Sequence, residues 1–169
     1  MRNIARILVP TDLSELSLEA LDYATALGKT WNAKVYLLHV IDILPNVSVP
    51  ALEYPTENIL QDYLGETERT VAAIARERSS AEMGLVPVVR QGIAHREIVR
   101  FVREQGIDLV ILSSHGRTGI THFLLGSIAE KVVHSSPVPV LTIKHPRPGS
   151  STTNAELAHE MPMNDSTQN

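Results

Sequence analysis

Cysteine is absent from the 169 residues, which excludes disulfides, thiolate metal sites and cysteine nucleophiles. Aromatics are scarce, at 4%, so the core must be aliphatic: Val, Ile, Leu and Ala. No apolar run approaches the ~18 residues that a bilayer-spanning helix needs, and no membrane partner is expected. The opening Met1-Arg2-Asn3-Ile4-Ala5-Arg6 runs straight into a strand-like stretch rather than a leader with a cleavage site, so the expected location is the cytoplasm. A basic excess is also missing. Fifteen Lys+Arg face 19 Asp+Glu, a formal net charge of −4, which removes the electrostatic footprint of a nucleic-acid binder. Part of the acid is concentrated at one end: Glu156, Glu160 and Asp165 lie in residues 151–169, which hold no Lys or Arg.

What is present is ordinary for a globular chain: 43% hydrophobic and 20% charged residues, which excludes wholesale disorder. The length suits one domain with a tail. From His145 the composition turns to Pro, Ser, Thr, Asn and Glu. We therefore expect a domain over residues 1–145 and a disordered polar tail over 146–169.

Apolar runs alternate with helical periodicity. Ile4–Pro10, Ala33–Val40, Leu85–Gln91, Asp108–Ser113 and Val138–Lys144 read as strands. Near-continuous runs, rather than alternating ones, are what a parallel sheet covered on both faces requires. Pro87 places the third strand at an edge. Between them, Leu16, Ala20, Ala24 and Leu27 mark a first helix that ends near Gly28–Asn32. Asp12 with Glu15 fits a capping box at its start, and Ser14 is the rival cap. Thr56–Glu82 is a long amphipathic helix with Leu60, Leu64, Thr67, Val71 and Ile74 inward. A third helix, His95–Glu104, turns Ile98, Phe101 and Val102 inward and stops at Gly106. The fourth is Ser127–His134, with Ser127 as its cap. The order β-α-β-α-β-α-β-α-β predicts an α/β fold: an open, doubly wound, five-stranded parallel sheet with helices on both faces.

In such folds ligands bind beyond the carboxyl ends of the strands. The loop after the fourth strand carries the strongest signal there. Gly116 lets backbone amides approach an anion, nine residues follow, and Gly126-Ser127 opens a helix whose N-terminus favours phosphate. Spacing alone leaves two readings, a phosphate-binding loop or a glycine loop that turns the chain before a capped helix. The stretch is neither a Walker A sequence nor a dinucleotide fingerprint. Arg117 is either a partner for a γ-phosphate or a solvated charge. His115 belongs to this loop, as does His122, while His39 reads as a packed, hydrogen-bonded strand residue. No metal-ligand spacing occurs, and no Ser–His–Asp triad is assigned, since triads are recognised by geometry.

Ser113-Ser114-His115-Gly116, nine residues, then Gly126-Ser127 resembles the G-x-x-G, nine residues, G-[ST] motif of ATP-binding universal stress proteins. Val9-Pro10-Thr11-Asp12 and Leu38-His39-Val40-Ile41-Asp42 are similar to the same family, over about residues 3–144. The resemblance implies a sheet ordered 3-2-1-4-5, of the adenine nucleotide alpha hydrolase-like kind. It implies that Pro10, Thr11 and Asp12 lie against adenosine and that the Val40 backbone recognises adenine. Ser113, His115 and Gly116 are implied at the ribose and phosphates, and Leu112 and Arg117 are counted beside them as candidate nucleotide contacts. Gly126, Ser127, Ile128 and Ala129 are implied to hold phosphates at the helix start, with Mg²⁺ bridging their oxygens. Ser113 departs from the pattern, since the family has glycine there: either its Cβ crowds the ribose or resists a positive φ, or its hydroxyl bonds to the sugar. The apolar Val138-Pro139-Val140-Leu141 suits an edge strand, open to another chain or covered by the tail. The resemblance implies a homodimer through strand Val138–Lys144. The function expected is ATP binding by a stress-signalling dimer. The alternatives are a slow ATPase, or a structural dimer that binds no nucleotide.

Overall fold

The computed structural model describes residues 3–42, 57–79, 83–114 and 125–144. In chain order the elements are β1 (Arg6–Thr11), α1 (Glu15–Trp31), β2 (Lys34–Asp42), α2 (Glu57–Arg78), β3 (Leu85–Gly92), α3 (Ala94–Gln105), β4 (Leu109–Ser113), α4 (Ser127–Ser135) and β5 (Val140–Ile143). The five strands form one parallel sheet ordered β3-β2-β1-β4-β5, as the alternation and the resemblance led us to expect. Pro87 lies on the edge strand β3, where its missing N–H costs least.

Successive strand residues point to opposite faces, so the apolar runs feed two cores. Ile7, Val9, Leu37 and Ile111 meet α1 and α2 on one face. Leu8, Leu38, Val110 and Leu112 meet α3 and α4 on the other, with Ile98, Phe101 and Val102 inward as expected. Tyr36 and Phe101 pack edge to face with centroids 5.5 Å apart. The switch from one winding direction to the other falls between β1 and β4.

Several details correct the sequence reading. The face that α1 buries is Ser17, Ala20, Leu21, Ala24 and Gly28, with Leu16 and Leu27 only half-buried. Small residues let the helix lie close on the sheet: a Cβ on Gly28 would meet Met83 Sδ and Val35 Cγ2, each at 2.8 Å. In α2 the buried positions include Thr67, Val71 and Ala75, with Leu64 and Ile74 flanking; the side chain of Leu60 lies outside the described residues. The helix stops at Arg78, short of Glu82. Ser79 Oγ donates to the Ala75 carbonyl at 2.6 Å and accepts the Leu85 amide at 3.1 Å, which ties the helix end to β3. Asp108 precedes β4 rather than opening it, because its carboxylate accepts the amides of Ala5 and Arg6, both at 2.9 Å. β5 is shorter than expected: Ser136 Oγ bonds both the amide and the carbonyl of Val138 and holds that residue out of the ladder. Gly106 closes α3 at φ 59°, as its position suggested. Residues 145–169, with the expected tail, lie outside the described residues.

Candidate functional site

The ladder between β1 and β4 pairs only Ile7 with Leu109 and Leu8 with Val110, whereas β1 and β2 stay paired to Thr11 and His39. Beyond Leu8 the sheet is therefore open on one side of β1. Pro10, which has no N–H to give a ladder, lies in that stretch. Above it is a cavity of about 650 Å³ at the carboxyl ends of the strands. Pro10, Thr11 and Asp12 line it from β1, residues 38–42 from β2, and Leu112, Ser113 and Ser114 from β4. Gly126, Ser127, Ile128 and Ala129 line it from the start of α4, Ala94 and Ile98 from α3, and Tyr63 from α2.

The β1–α1 turn is braced by polar groups. Ser17 Oγ donates to the Ser14 carbonyl at 2.8 Å, which uses its single proton. Thr11 Oγ1 is therefore the donor in its 2.7 Å bond with Ser17 Oγ. Thr11 Oγ1 also accepts the Leu13 amide at 2.9 Å, and Leu13 sits at φ 66°, a left-handed conformation that an L side chain adopts at a cost. This kink sets the direction of Asp12. Ser14, not Asp12, is the N-cap of α1, accepting the Ser17 amide at 3.3 Å. Asp12 accepts from the Ser14 amide at 3.1 Å and the Ser14 hydroxyl at 2.5 Å, so its carboxylate is held at the cavity rim. His39 is buried, and its Nδ1 lies 2.8 Å from the Thr11 carbonyl. A carbonyl only accepts, so Nδ1 carries a proton and is the donor.

At the opposite wall the N-cap of α4 is Gly126, and Ser127 is the first helical residue rather than the cap. Gly126 provides no side-chain hydrogen bond to the first turn. Its own amide donates to the Ser114 carbonyl at 2.7 Å, which closes the loop base and turns the helix start toward β4. Thus α1 has its N-terminus filled by Ser14, while α4 presents Ser127, Ile128 and Ala129 to the cavity without a side-chain cap.

His95 stands at the second position of α3, its Nδ1 enclosed with no hydrogen-bond partner among the described residues. Withdrawal from water lowers its pKa below the usual 6.5; Lys131 and Arg96 push the same way, and Asp42 opposes. With the folded value depressed, the unfolded chain binds the proton first as pH falls. Stability is therefore expected to drop from about pH 6.5 downward, until the folded ring protonates as well. Urea titrations at about pH 7.5 and 5.5 should show a smaller loss for H95Q than for the wild type.

Of the site residues expected from sequence, Pro10, Thr11, Asp12, Val40, Leu112, Ser113, Gly126, Ser127, Ile128 and Ala129 line this one cavity. His115, Gly116 and Arg117 lie outside the described residues. Sequence reasoning did not assign Ala94, Asp42 and Tyr63 to the site; they reach the cavity because β2 ends, and α2 and α3 begin, at the same rim. Among the described residues no group of three His, Asp or Glu is arranged to hold a metal, and no helix is long and apolar enough to cross a membrane.

This architecture defines an open doubly wound α/β domain with a cavity at its switch point. The model of the universal stress protein family matches residues 3–144, and the chain belongs to that family. It is 32% identical to universal stress protein MJ0531 of Methanocaldococcus jannaschii over 142 residues, 84% of this chain and 83% of that one. To MJ0577 of the same organism it is 32% identical over 155 residues, 82% of this chain and 94% of the relative. The solved structure of MJ0577 superposes with a TM-score of 0.73 at 34% identity, covering 86% of this chain and 99% of that one. Two more distant structures share the fold. One is a universal stress protein in complex with cAMP, at TM-score 0.58 and 23% identity, covering 84% of this chain and 98% of that one. The other is Arabidopsis thaliana At3g01520 with AMP bound, at TM-score 0.56 and 15% identity, covering 85% and 93%.

Proposed function

We propose that the chain binds an adenine nucleotide, ATP with a divalent cation, in the switch-point cavity and acts as a nucleotide-dependent dimer in stress signalling. The observation that carries the reading is the convergence of three strand ends with a helix N-terminus whose N-cap residue is glycine and makes no side-chain cap bond. Each end suits a different part of the ligand. Ser127, Ile128 and Ala129 offer first-turn amides and a partial positive charge to phosphates. Asp12, held by Ser14, offers a carboxylate to a sugar or base donor, and Pro10, Leu38 and Val40 offer apolar walls beside it. Ser113 stands where the ribose would lie, and its hydroxyl can bond to the sugar. His115, Gly116 and Arg117 complete the phosphate end in this reading. Two relatives of the same fold hold cAMP and AMP, which supports an adenine nucleotide as the ligand class.

The residues present fit a phosphate-borne Mg²⁺ better than a resident metal. Such an ion takes one or two carboxylates plus phosphate oxygens, and Asp12 and Asp42 are the acidic groups on the cavity wall among the described residues. The edge strand β5, with Leu141 exposed on it, supports pairing with a second copy. Titration calorimetry with ATP and Mg²⁺ is expected to show one saturable site per chain. Absence of heat and of competition at millimolar nucleotide would overturn the reading.

A further inference from the structure

Tyr63 enters the cavity wall from the second turn of α2, with 52% of its surface exposed. Apart from the buried His39 ring, it is the only aromatic side chain among the described lining residues. Its backbone lies in regular helix, where Thr67 Oγ1 donates to the Tyr63 carbonyl at 2.8 Å, one turn on. α2 packs against β3 and β2, whereas α4 packs against α3 and β5. With β1 between β2 and β4 in the sheet, Tyr63 and the end of β2 bound one side of the cavity. The start of α4 bounds the other. A ligand whose anionic end rests on the α4 amides must place its other end toward β2 and Tyr63.

We propose that Tyr63 is the base-stacking residue of this cavity, its ring face receiving the purine while α4 holds the phosphates. The proposal rests on the nucleotide reading above and adds the residue that sets affinity for the base. An exposed phenol ring on a cavity wall offers a π surface on which a base can stack. Stacking needs only that face, so the contribution belongs to the base and is independent of phosphate number.

The test compares wild type, Y63F, Y63A and Y63L by calorimetry with AMP, ADP, ATP and inorganic tripolyphosphate. A 2-aminopurine nucleotide serves as a fluorescent stacking probe. Y63F should match the wild type. Y63A and Y63L should weaken all three adenine nucleotides by a common factor of about ten, with tripolyphosphate unchanged. Probe fluorescence should be quenched on wild type and Y63F and remain bright on Y63A and Y63L. Leucine keeps the bulk and apolar surface, so its loss of quenching separates an aromatic role from simple packing. If the wild type binds nucleotide and Y63A or Y63L binds it equally well, the stacking role is overturned while the site reading stands. If the wild type binds no adenine nucleotide, both fall together.

Discussion

Replacing Gly126 by Asp is expected to weaken the proposed ATP binding at least about a hundredfold while leaving the fold as stable as before or slightly more so. The two effects separate because Gly126 is the N-cap of α4, at φ −67° and ψ 154°, an extended conformation open to any L residue. Asp is a better N-cap than Gly by a few tenths of a kcal/mol, and its charge at the helix start adds roughly 0.3–1 kcal/mol. The same carboxylate would occupy the first-turn amides and set a negative charge where a phosphate is proposed to lie. Two like charges about 4 Å apart near a protein surface repel by roughly 4 kcal/mol. A hundredfold loss needs only about 2.7 kcal/mol, so a loss of at least that size is expected. G126N caps the helix without the charge and should lose much less. Adenosine, which has no phosphate, should bind wild type and G126D alike, placing the effect at the phosphate end. Calorimetry with ATP and adenosine, beside thermal melts of the three proteins, reads all of this. ATP binding by G126D at wild-type strength would remove α4 from the proposed site.

The parallel sheet was legible because strands covered on both faces read as unbroken apolar runs, and Val35–Leu38 and Leu109–Leu112 are buried throughout. Helix stops were legible where a left-handed residue was needed, as at Asn32 and Gly106. The inner face of α1 was less so, because Ser17, Ala20, Ala24 and Gly28 carry little hydropathic signal. Their burial reflects how close the helix lies to the sheet. The contest between Asp12 and Ser14 for the N-cap was decided by the backbone at Leu13, whose positive φ no spacing rule encodes. At α4 the same ambiguity moved the cap from Ser127 to Gly126. The ligand roles of the strand-end residues came from resemblance, whereas Gly116 and the Gly126-Ser127 helix start were visible as a physical pattern. Tyr63 was invisible in sequence because its i, i+4, i+8 relation to Thr67 and Val71 marks a helix face but not where that face meets a cavity.

Leu8→Ala is expected to be the most destabilising of these changes, at about 3 kcal/mol, within the range of roughly 2–5 kcal/mol typical of buried Leu truncations. Leu8 is fully buried on β1, the middle strand of the sheet, where it pairs with Tyr36 on one side and Val110 on the other. Its side chain joins Leu38, Ile98, Phe101 and Val102 in the core beneath α3 and α4. Truncation removes apolar contact and leaves a void. The surrounding chains come from four different elements, so collapse around it is limited. For a domain of this size the loss corresponds to a fall in melting temperature of about 10 °C. In urea the midpoint should drop with the slope unchanged, since the surface exposed on unfolding is nearly the same. L141A supplies the contrast: Leu141 is exposed on the edge strand β5, and in the isolated chain its truncation should cost no more than about 0.5 kcal/mol. The cavity lies beyond the Leu8–Val110 pair, where β1 and β4 are no longer joined. Folded L8A is therefore expected to keep the proposed nucleotide affinity while losing stability. A cost below about 1 kcal/mol would mean that the core beneath α3 and α4 does not close around β1.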